Sequence, residues 1–283
     1  MTLTSFSAPL KLDRGWRLFL RTIWARAYPR IIGQQREKAW IFFETFLPFL
    51  ATVGYIYVYR AMQAPEEYIG FVVMGGAMTA FWLNVMWLMA SQLYWEKESG
   101  NLALYIMAPN SLMAILLGMA LGGLLATTMR AVVITVLGAW LFDIHFVVSS
   151  YLQLLAVFGL TMAALYGLGM LLASLFLLWG REAWQIATAL QEPIYFVAGF
   201  YFPVRSFGFG VGLVSSLLPL TLGLDAMRQL VFASGPLFGF LPVAVEIPVL
   251  AGLAVVFIAA AKFGLDYMER LAVREGTLTD RRR

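Results

Sequence analysis

The chain has 283 residues, of which 61% are hydrophobic and only 13% charged, about half the charged fraction of an ordinary soluble domain. With a mean hydropathy of +0.79, it has too little polar surface to cover a globule in water, so much of it is expected to lie in lipid. The absence of cysteine excludes disulfides and thiolate metal sites, and a single histidine argues against a histidine-rich metal centre. The net charge of +4 is informative mainly through its position along the chain.

The first predicted element is an amphipathic helix over residues 10–32. Apolar side chains recur at helical spacing from Leu12 to Ala27. The opposite face carries three arginines, Arg14, Arg17 and Arg21. Such a helix lies in the headgroup region of a membrane with its basic face towards anionic lipid, and Pro29 suggests a bend before the chain enters the bilayer. The alternative is a basic tail that only marks the cytoplasmic side.

Six apolar runs follow, each long enough for a membrane-spanning helix of roughly 20 residues. They cover residues 40–59, 69–93, 112–142, 151–179, 183–202 and 242–263. Lysine and arginine set the orientation, because cytoplasmic loops retain them: 16 of the 20 fall on the side of the two termini and three on the other, with Arg130 inside a span. We therefore predict an all-α polytopic membrane protein with both termini, including the tail 264–283, in the cytoplasm.

Residues 96–111, between the second and third spans, form the most polar cytoplasmic connection between spans. The connection is longer than a simple turn needs, and residues 102–107 are apolar enough for a short helix that ends before Pro109. A short helix with apolar side chains in the cytosol needs a partner. The alternative is a corner of the chain that lies on the membrane surface.

Small residues at four-residue steps predict close helix packing in the third and fourth spans. The third span has Gly118, Gly122 and Ala126, and the fourth has Gly159, Ala163 and Gly167. We interpret both faces as structural, because small side chains at this interval let two backbones approach whatever the function.

Ionisable side chains inside spans are costly and normally face a protein interior or an aqueous cavity. The candidates are Glu44, Arg130, Glu192 and Glu246. Arg130 is expected near the outer interface, where it can snorkel, or in a pair with Glu192 or Glu246. The fifth span carries a polar stripe at helical spacing: Arg181, Gln185, Thr188, Glu192, Tyr195 and Gly199. This stripe either lines a route for a polar or amphipathic substrate or hydrogen-bonds to neighbouring helices.

The segment 202–241, predicted on the outer side, is long, apolar and interrupted by prolines and glycines. It is neither a span nor a solvated loop, and short helices that dip into the outer leaflet and return would satisfy its backbone. We predict a re-entrant hairpin in which Asp225 and Arg228, spaced i, i+3, pair with each other.

The sequence has no Gly-Lys-Ser/Thr phosphate-binding loop, because none of its four lysines lies in that motif. An intramembrane enzyme is also disfavoured, since one histidine and no cysteine leave few nucleophiles, bases or metal ligands. We therefore predict neither catalytic nor metal-binding residues.

Two segments resemble the permease subunits of type-2 ABC exporters. Residues 96–111 are similar to that family's acidic-x-acidic-x-Gly-Thr-Leu…Pro-x-Ser signature, and residues 199–203 and 218–228 look like its gate and re-entrant segment, which ends Leu-Pro-Leu-Thr…aspartate…arginine. The chain departs from the family pattern at Asn101, in place of the usual threonine, and in the glycine-rich run 207–212 after the gate.

The resemblance implies a single permease domain over residues 1–283 without a cofactor of its own. It would pair with a second permease copy, giving a homodimer, and with two separate ATP-binding-cassette ATPase subunits that hold ATP and Mg²⁺. It would lie in a bacterial or archaeal cytoplasmic membrane, in contact with lipid and with no nucleic-acid partner.

The resemblance also implies roles for individual residues. Those expected to couple to the ATPase are Glu96, Glu98, Gly100, Leu102, Leu104 and Tyr105. Those expected along the substrate path are Asn84, Gln185, Thr188, Glu192 and Tyr195. The outer gate would contain Phe200, Tyr201, Phe202 and Pro203, and the re-entrant segment would depend on Pro219, Asp225 and Arg228.

The expected cargo is an amphipathic small molecule or a lipid-like substrate, moved by alternating access. The acidic loop signature favours this branch over the exporters of lipid-linked polysaccharide or glycolipid, which are the alternative. A channel or ion-coupled carrier independent of ATP is the rival from another class. It would use Arg130, Glu192 and Glu246 as a relay and would need no docking helix.

Overall fold

The computed structural model describes residues 15–108, 111–232 and 239–275. Within these ranges the helices are α1 (Trp16–Arg36), α2 (Lys38–Ala61), α3 (Glu67–Leu83), α4 (Gln92–Glu98), α5 (Leu102–Met107), α6 (Leu112–Phe142), α7 (Tyr151–Trp179), α8 (Arg181–Val197), α9 (Phe209–Ser215), α10 (Pro219–Val231) and α11 (Val243–Glu275). A π-helical stretch, Asn84–Ala90, links α3 to α4, and a 3₁₀ turn, Val204–Phe207, precedes α9. The described residues contain no strand, which confirms the all-α prediction.

Five helices of the described chain are long and apolar enough to cross a membrane. They are Ile41–Ala61, Glu67–Glu98, Leu112–Phe142, Tyr151–Trp179 and Val243–Leu271. The second of these joins α3, the π-helical stretch and α4 into one helix. The five correspond to the predicted spans one to four and six, so the protein is a multi-pass membrane protein.

The helix α8 is shorter than the predicted fifth span. It has 17 residues and ends at Val197, whereas the prediction extended to Phe202. The chain turns at Gly199, whose φ of +84° is a left-handed conformation that favours glycine. After this turn, α9 and α10 form an apolar pair bent by 110°, a geometry compatible with the predicted re-entrant hairpin.

The predicted N-terminal helix (10–32) and C-terminal tail (264–283) differ in their limits from the helices observed. Within the described chain α1 begins at Trp16, continues through Pro29 and ends at Arg36. At the other end α11 extends to Glu275, so part of the predicted tail is helical. The predicted residues 10–14 and 276–283, and Pro109 in the loop, lie outside the described residues.

The small-residue face of α6 packs against α1. A methyl group added at Gly118 would collide with the carbonyl oxygen of Ile23 and with the Arg26 side chain, and one at Gly122 would press on the Ala27 carbonyl oxygen at 3.0 Å. The two backbones therefore touch where the glycines lie, as small residues allow. This contact fixes the amphipathic helix α1 along the side of a membrane span.

A leucine at Gly118 tests this contact. We expect Gly118→Leu to lower the free energy of unfolding by about 1–3 kcal/mol, because overpacking forces two backbones apart. The midpoint of thermal unfolding in detergent measures the effect. The matched control is Gly159→Leu in α7, where a Cβ atom would meet nothing within 4 Å. Equal shifts in the two variants would contradict the packing role.

Candidate functional site

The corner between α4 and α5 is stabilised by Glu96. Its carboxylate accepts hydrogen bonds from Gln92 Nε2 and from Asn101 Nδ2, each at 3.1 Å. The chain reverses at Gly100, whose φ of +78° favours glycine. Glu98 is exposed beside this corner. Asn101, the departure from the family signature, thus forms a hydrogen bond within the loop, and Glu98 is the carboxylate free to meet a partner.

The short helix α5 has a buried end and an exposed face. Leu102 is buried in the core, whereas Leu104 is 63% exposed and Met107 is 79% exposed. The Arg26 guanidinium of α1 lies over the Tyr105 ring, 4.2 Å from its centroid, and burial raises the pKa of the Tyr105 hydroxyl. Leu102 and Tyr105 therefore hold α5 in place. Leu104 and Met107 are left for contact, and the predicted coupling set lacked Met107.

Three residues of the predicted substrate path share the outward face of α8. Gln185, Thr188 and Glu192 are exposed, while Tyr195 is half-buried, with its ring centroid 5.6 Å from that of Phe200. The Thr188 hydroxyl donates to a carbonyl of its own helix. Within the described chain, neither Gln185 nor Glu192 hydrogen-bonds to a neighbouring helix. In the described chain these three side chains are therefore exposed and form no hydrogen bonds to neighbouring helices.

Asn84 does not lie on this face. It is 3% exposed, at the start of the π-helical stretch, and its Oδ1 accepts a hydrogen bond from the Tyr166 hydroxyl at 3.1 Å. The nearest link to α8 is Trp87, whose Nε1 donates to Gln191 Oε1 at 2.9 Å. Asn84 is thus buried inside the protomer, whereas Gln185, Thr188 and Glu192 are exposed on α8.

The predicted gate residues pack mostly inside the protomer. Phe200, Tyr201 and Pro203 are buried. The Tyr201 ring stacks on that of Tyr55 at 4.0 Å, and its carbonyl accepts from the Tyr59 hydroxyl at 2.8 Å. Phe202 alone of the four is partly exposed. Only this side chain has surface with which to face a route.

Arg228 of α10 connects α3 and the turn after α8, beside this aromatic cluster. Its guanidinium donates to the carbonyl oxygens of Gly199 at 2.5 Å, Phe71 at 2.7 Å and Phe200 at 2.9 Å. It also lies 3.3 Å from the centroid of the Phe71 ring. Within the described residues Arg228 forms no ion pair with Asp225 and instead bonds to backbone carbonyls, two of which lie in the turn after α8, where the chain has left helical geometry.

Asp225 has partners of its own in the outer hairpin. Its carboxylate accepts from Gln229 Nε2 at 3.0 Å and from the Phe240 amide at 2.7 Å. The same Gln229 amide nitrogen donates to the Leu241 carbonyl and to Glu246. These bonds attach α10 to the start of α11. Pro219 is buried at the first position of α10, where a helix tolerates proline.

Arg130 forms an ion pair with Glu44 of α2 and donates to Thr127 Oγ1 at 3.2 Å. It is buried rather than snorkelled to an interface, and neither Glu192 nor Glu246 is its partner. The pair lies at a cavity of about 330 Å³ between α2, the π-helical stretch and α6. A larger cavity of about 640 Å³, between α3, α6 and α7, is almost entirely apolar and contains none of the predicted path residues.

The described structure is a polytopic helical membrane protein in which the short helix α5 has an exposed apolar face and α8 has an exposed polar face. The sequence model of one family, the ABC-2 type transporters, matches residues 19–232. Since this match covers more than half of the chain, the chain belongs to that family. It is the membrane permease of an ABC transporter, and membership implies pairing with ATP-binding-cassette ATPase subunits. No curated protein sequence matches the chain.

Replacing the Arg228 guanidinium tests its hydrogen bonds to the three carbonyl oxygens. We expect Arg228→Lys to cost about 1.5–3 kcal/mol for each charge-assisted hydrogen bond lost, because one ammonium group lacks the planar fork that reaches several acceptors. The thermal unfolding midpoint in detergent is the measurement. Arg205→Lys, at an exposed position in the same outer segment, is the control. An equal and small shift in both variants would remove Arg228 from this role.

Proposed function

We propose that this chain is half of an ATP-driven exporter permease that moves an amphipathic small molecule or a lipid-like substrate across a bacterial or archaeal cytoplasmic membrane. Two copies would pair around the route, and ATP would be hydrolysed on two separate ATPase subunits. The observation that carries the proposal is the exposed polar face of α8 in a chain that otherwise presents apolar side chains to lipid.

Contact between lipid and the exposed polar face of α8 is energetically unfavourable. A carboxylate in the bilayer core costs roughly 2.5–3.5 kcal/mol on the insertion scale, so Glu192 needs water or a polar partner. A second copy placed against this face would enclose it. Gln185, Thr188 and Glu192 would then line an aqueous route between the two copies.

The exposed face of α5 supports the coupling role. Leu104 and Met107 form an apolar patch that a cytosolic partner would bury, and Glu98 adds a charge beside it. Force applied to α5 would reach the spans by two contacts, the buried Leu102 side chain and the Arg26–Tyr105 contact with α1. The ATPase would thereby move α1 and the second span together.

The cargo follows from the character of the route. The outward face of α8 combines polar side chains with large apolar neighbours such as Ile186 and Leu190, which are both exposed. A molecule with both kinds of surface fits such a wall. Lipid-linked polysaccharide or glycolipid is the alternative cargo, and transport that persists without nucleotide would favour the channel or carrier instead.

A charge on the exposed face of α5 tests the coupling. We expect Met107→Asp to abolish transport and reduce co-purification of the ATPase at least tenfold, because a carboxylate would be buried unpaired in the contact. The matched control is Met62→Asp. Met62 is 72% exposed and lies in the connection that follows the C-terminal end of α2. A Met107→Asp variant with normal transport and normal ATPase retention would refute the docking role.

The proposed pairing can be tested with single cysteines, because the chain has none of its own. We expect Thr188→Cys to yield a cross-linked dimer with a short bis-maleimide, which adds one thiol at each end, since the two copies of α8 would face each other across the route. Val255→Cys, on the exposed surface of α11, is the control and should remain monomeric. Cross-linking confined to the α11 variant would place the second copy elsewhere.

A further inference from the structure

We propose that the cavity between α2, the π-helical stretch and α6 binds the anionic group of an amphipathic molecule, a phosphate or a carboxylate, while its apolar part remains in the bilayer. The inference rests on the proposed function, because it assigns a holding site for cargo beside the route. Its occupant is identified by the chemistry of the cavity walls.

The cavity has apolar walls and three polar side chains. It encloses about 330 Å³ and is lined by Phe43, Glu44, Leu47, Pro48, Ala80, Leu83, Asn84, Trp87, Leu88 and Arg130. Pockets for small ligands commonly combine such apolar walls with a few convergent polar groups. Phe43 and Leu47 are both more than half exposed, so the cavity lies beside a lipid-facing surface of α2.

An unpaired donor belongs to this cavity. The Tyr166 hydroxyl donates a hydrogen bond to Asn84 Oδ1, but Asn84 Nδ2 is buried without a hydrogen-bond partner among the described residues. A buried N–H without a partner is costly. An acceptor oxygen in the cavity would satisfy it.

Guanidinium groups at the cavity and behind its wall favour an anion. Arg130 is paired with Glu44, the one carboxylate among the lining residues. A second guanidinium, that of Arg30, lies against the wall: it donates to the Leu88 carbonyl at 3.1 Å and to Gln92 Oε1 at 3.4 Å, and its Nε is buried without a partner in the described chain. Glu96 is reached from Arg30 only through Gln92. An anionic oxygen in the cavity would accept from the unpartnered Asn84 Nδ2 and lie close to the Arg130 guanidinium.

The cavity lies about two turns along α6 from its contact with α1. Gly122 of α6 contacts α1 at Ala27 and Arg30, and Arg130 follows eight residues later, about 12 Å further along the helix. The wall continues to α8 through the Trp87–Gln191 hydrogen bond. The π-helical stretch that carries Asn84 and Trp87 is a rare backbone form that often marks functional sites. A molecule held here would be adjacent to the route.

The test is photo-crosslinking of the full-length permease in vesicles of phosphatidylglycerol and phosphatidylcholine in equal amounts, with identical acyl chains. A benzophenone amino acid replaces Leu47, at the cavity, or Leu50, exposed one turn away on the same helix but outside the cavity lining. We expect adducts at position 47 to be enriched about tenfold in phosphatidylglycerol. Adducts at position 50 should reflect the bulk ratio. Equal ratios at the two positions would overturn the proposal.

Two variants make the test specific. Asn84→Leu should reduce the enrichment at position 47 severalfold, whereas Thr128→Val, facing the larger cavity, should not. Glu44→Gln frees the Arg130 guanidinium and should raise the enrichment, a gain that misfolding does not produce. No change in either cavity variant would refute the binding chemistry.

A large excess of inorganic phosphate identifies the source of the anion. Enrichment that persists supports a lipid-borne group, and enrichment that is abolished supports a free phosphate in the same site. The assay uses neither nucleotide nor ATPase. Its failure is therefore distinct from a failure of the coupling test at Met107.

Discussion

The constraint that governs this molecule is that polar groups within the bilayer must find partners inside the protein. Arg228 shows how this constraint is met where the helix α8 ends. The end of α8 and the turn at Gly199 leave carbonyl groups without helical partners, and one guanidinium satisfies two of them together with the carbonyl of Phe71 on the second span. The outer hairpin can depart from helical geometry because this side chain, and Asp225 with its own donors, replace the missing backbone bonds.

The same constraint separates two kinds of ionisable residue on the helices. Arg130 and Glu44 neutralise each other inside the protomer, whereas Glu192 stays exposed on α8. Internal pairing is compatible with a monomer in lipid, but the exposed carboxylate is not. This contrast is the physical reason why the proposed function places a second copy against α8.

The helix α1 connects the features assigned to function. It packs on the glycines of α6, its Arg26 covers the Tyr105 ring on α5, and its Arg30 donates to the carbonyl of Leu88 in the π-helical stretch. A displacement of α5 by a cytosolic partner would therefore act on the second and third spans through one rigid element. The proposed anion cavity lies against this element, so coupling and binding would share their contacts.

The sequence by itself determined the features that depend on local composition and period: the long apolar helices, the short helix with its corner residues Glu96 and Gly100, and the amphipathic character of α8. It did not determine which distant side chains meet. Arg130 was expected near the outer interface or in a pair with Glu192 or Glu246, whereas it is buried and paired with Glu44 of α2. The pairing of Arg130 with Glu44, the three carbonyls held by Arg228 and the burial of Phe200 were decided by tertiary structure, because helix packing brings together residues far apart in the chain.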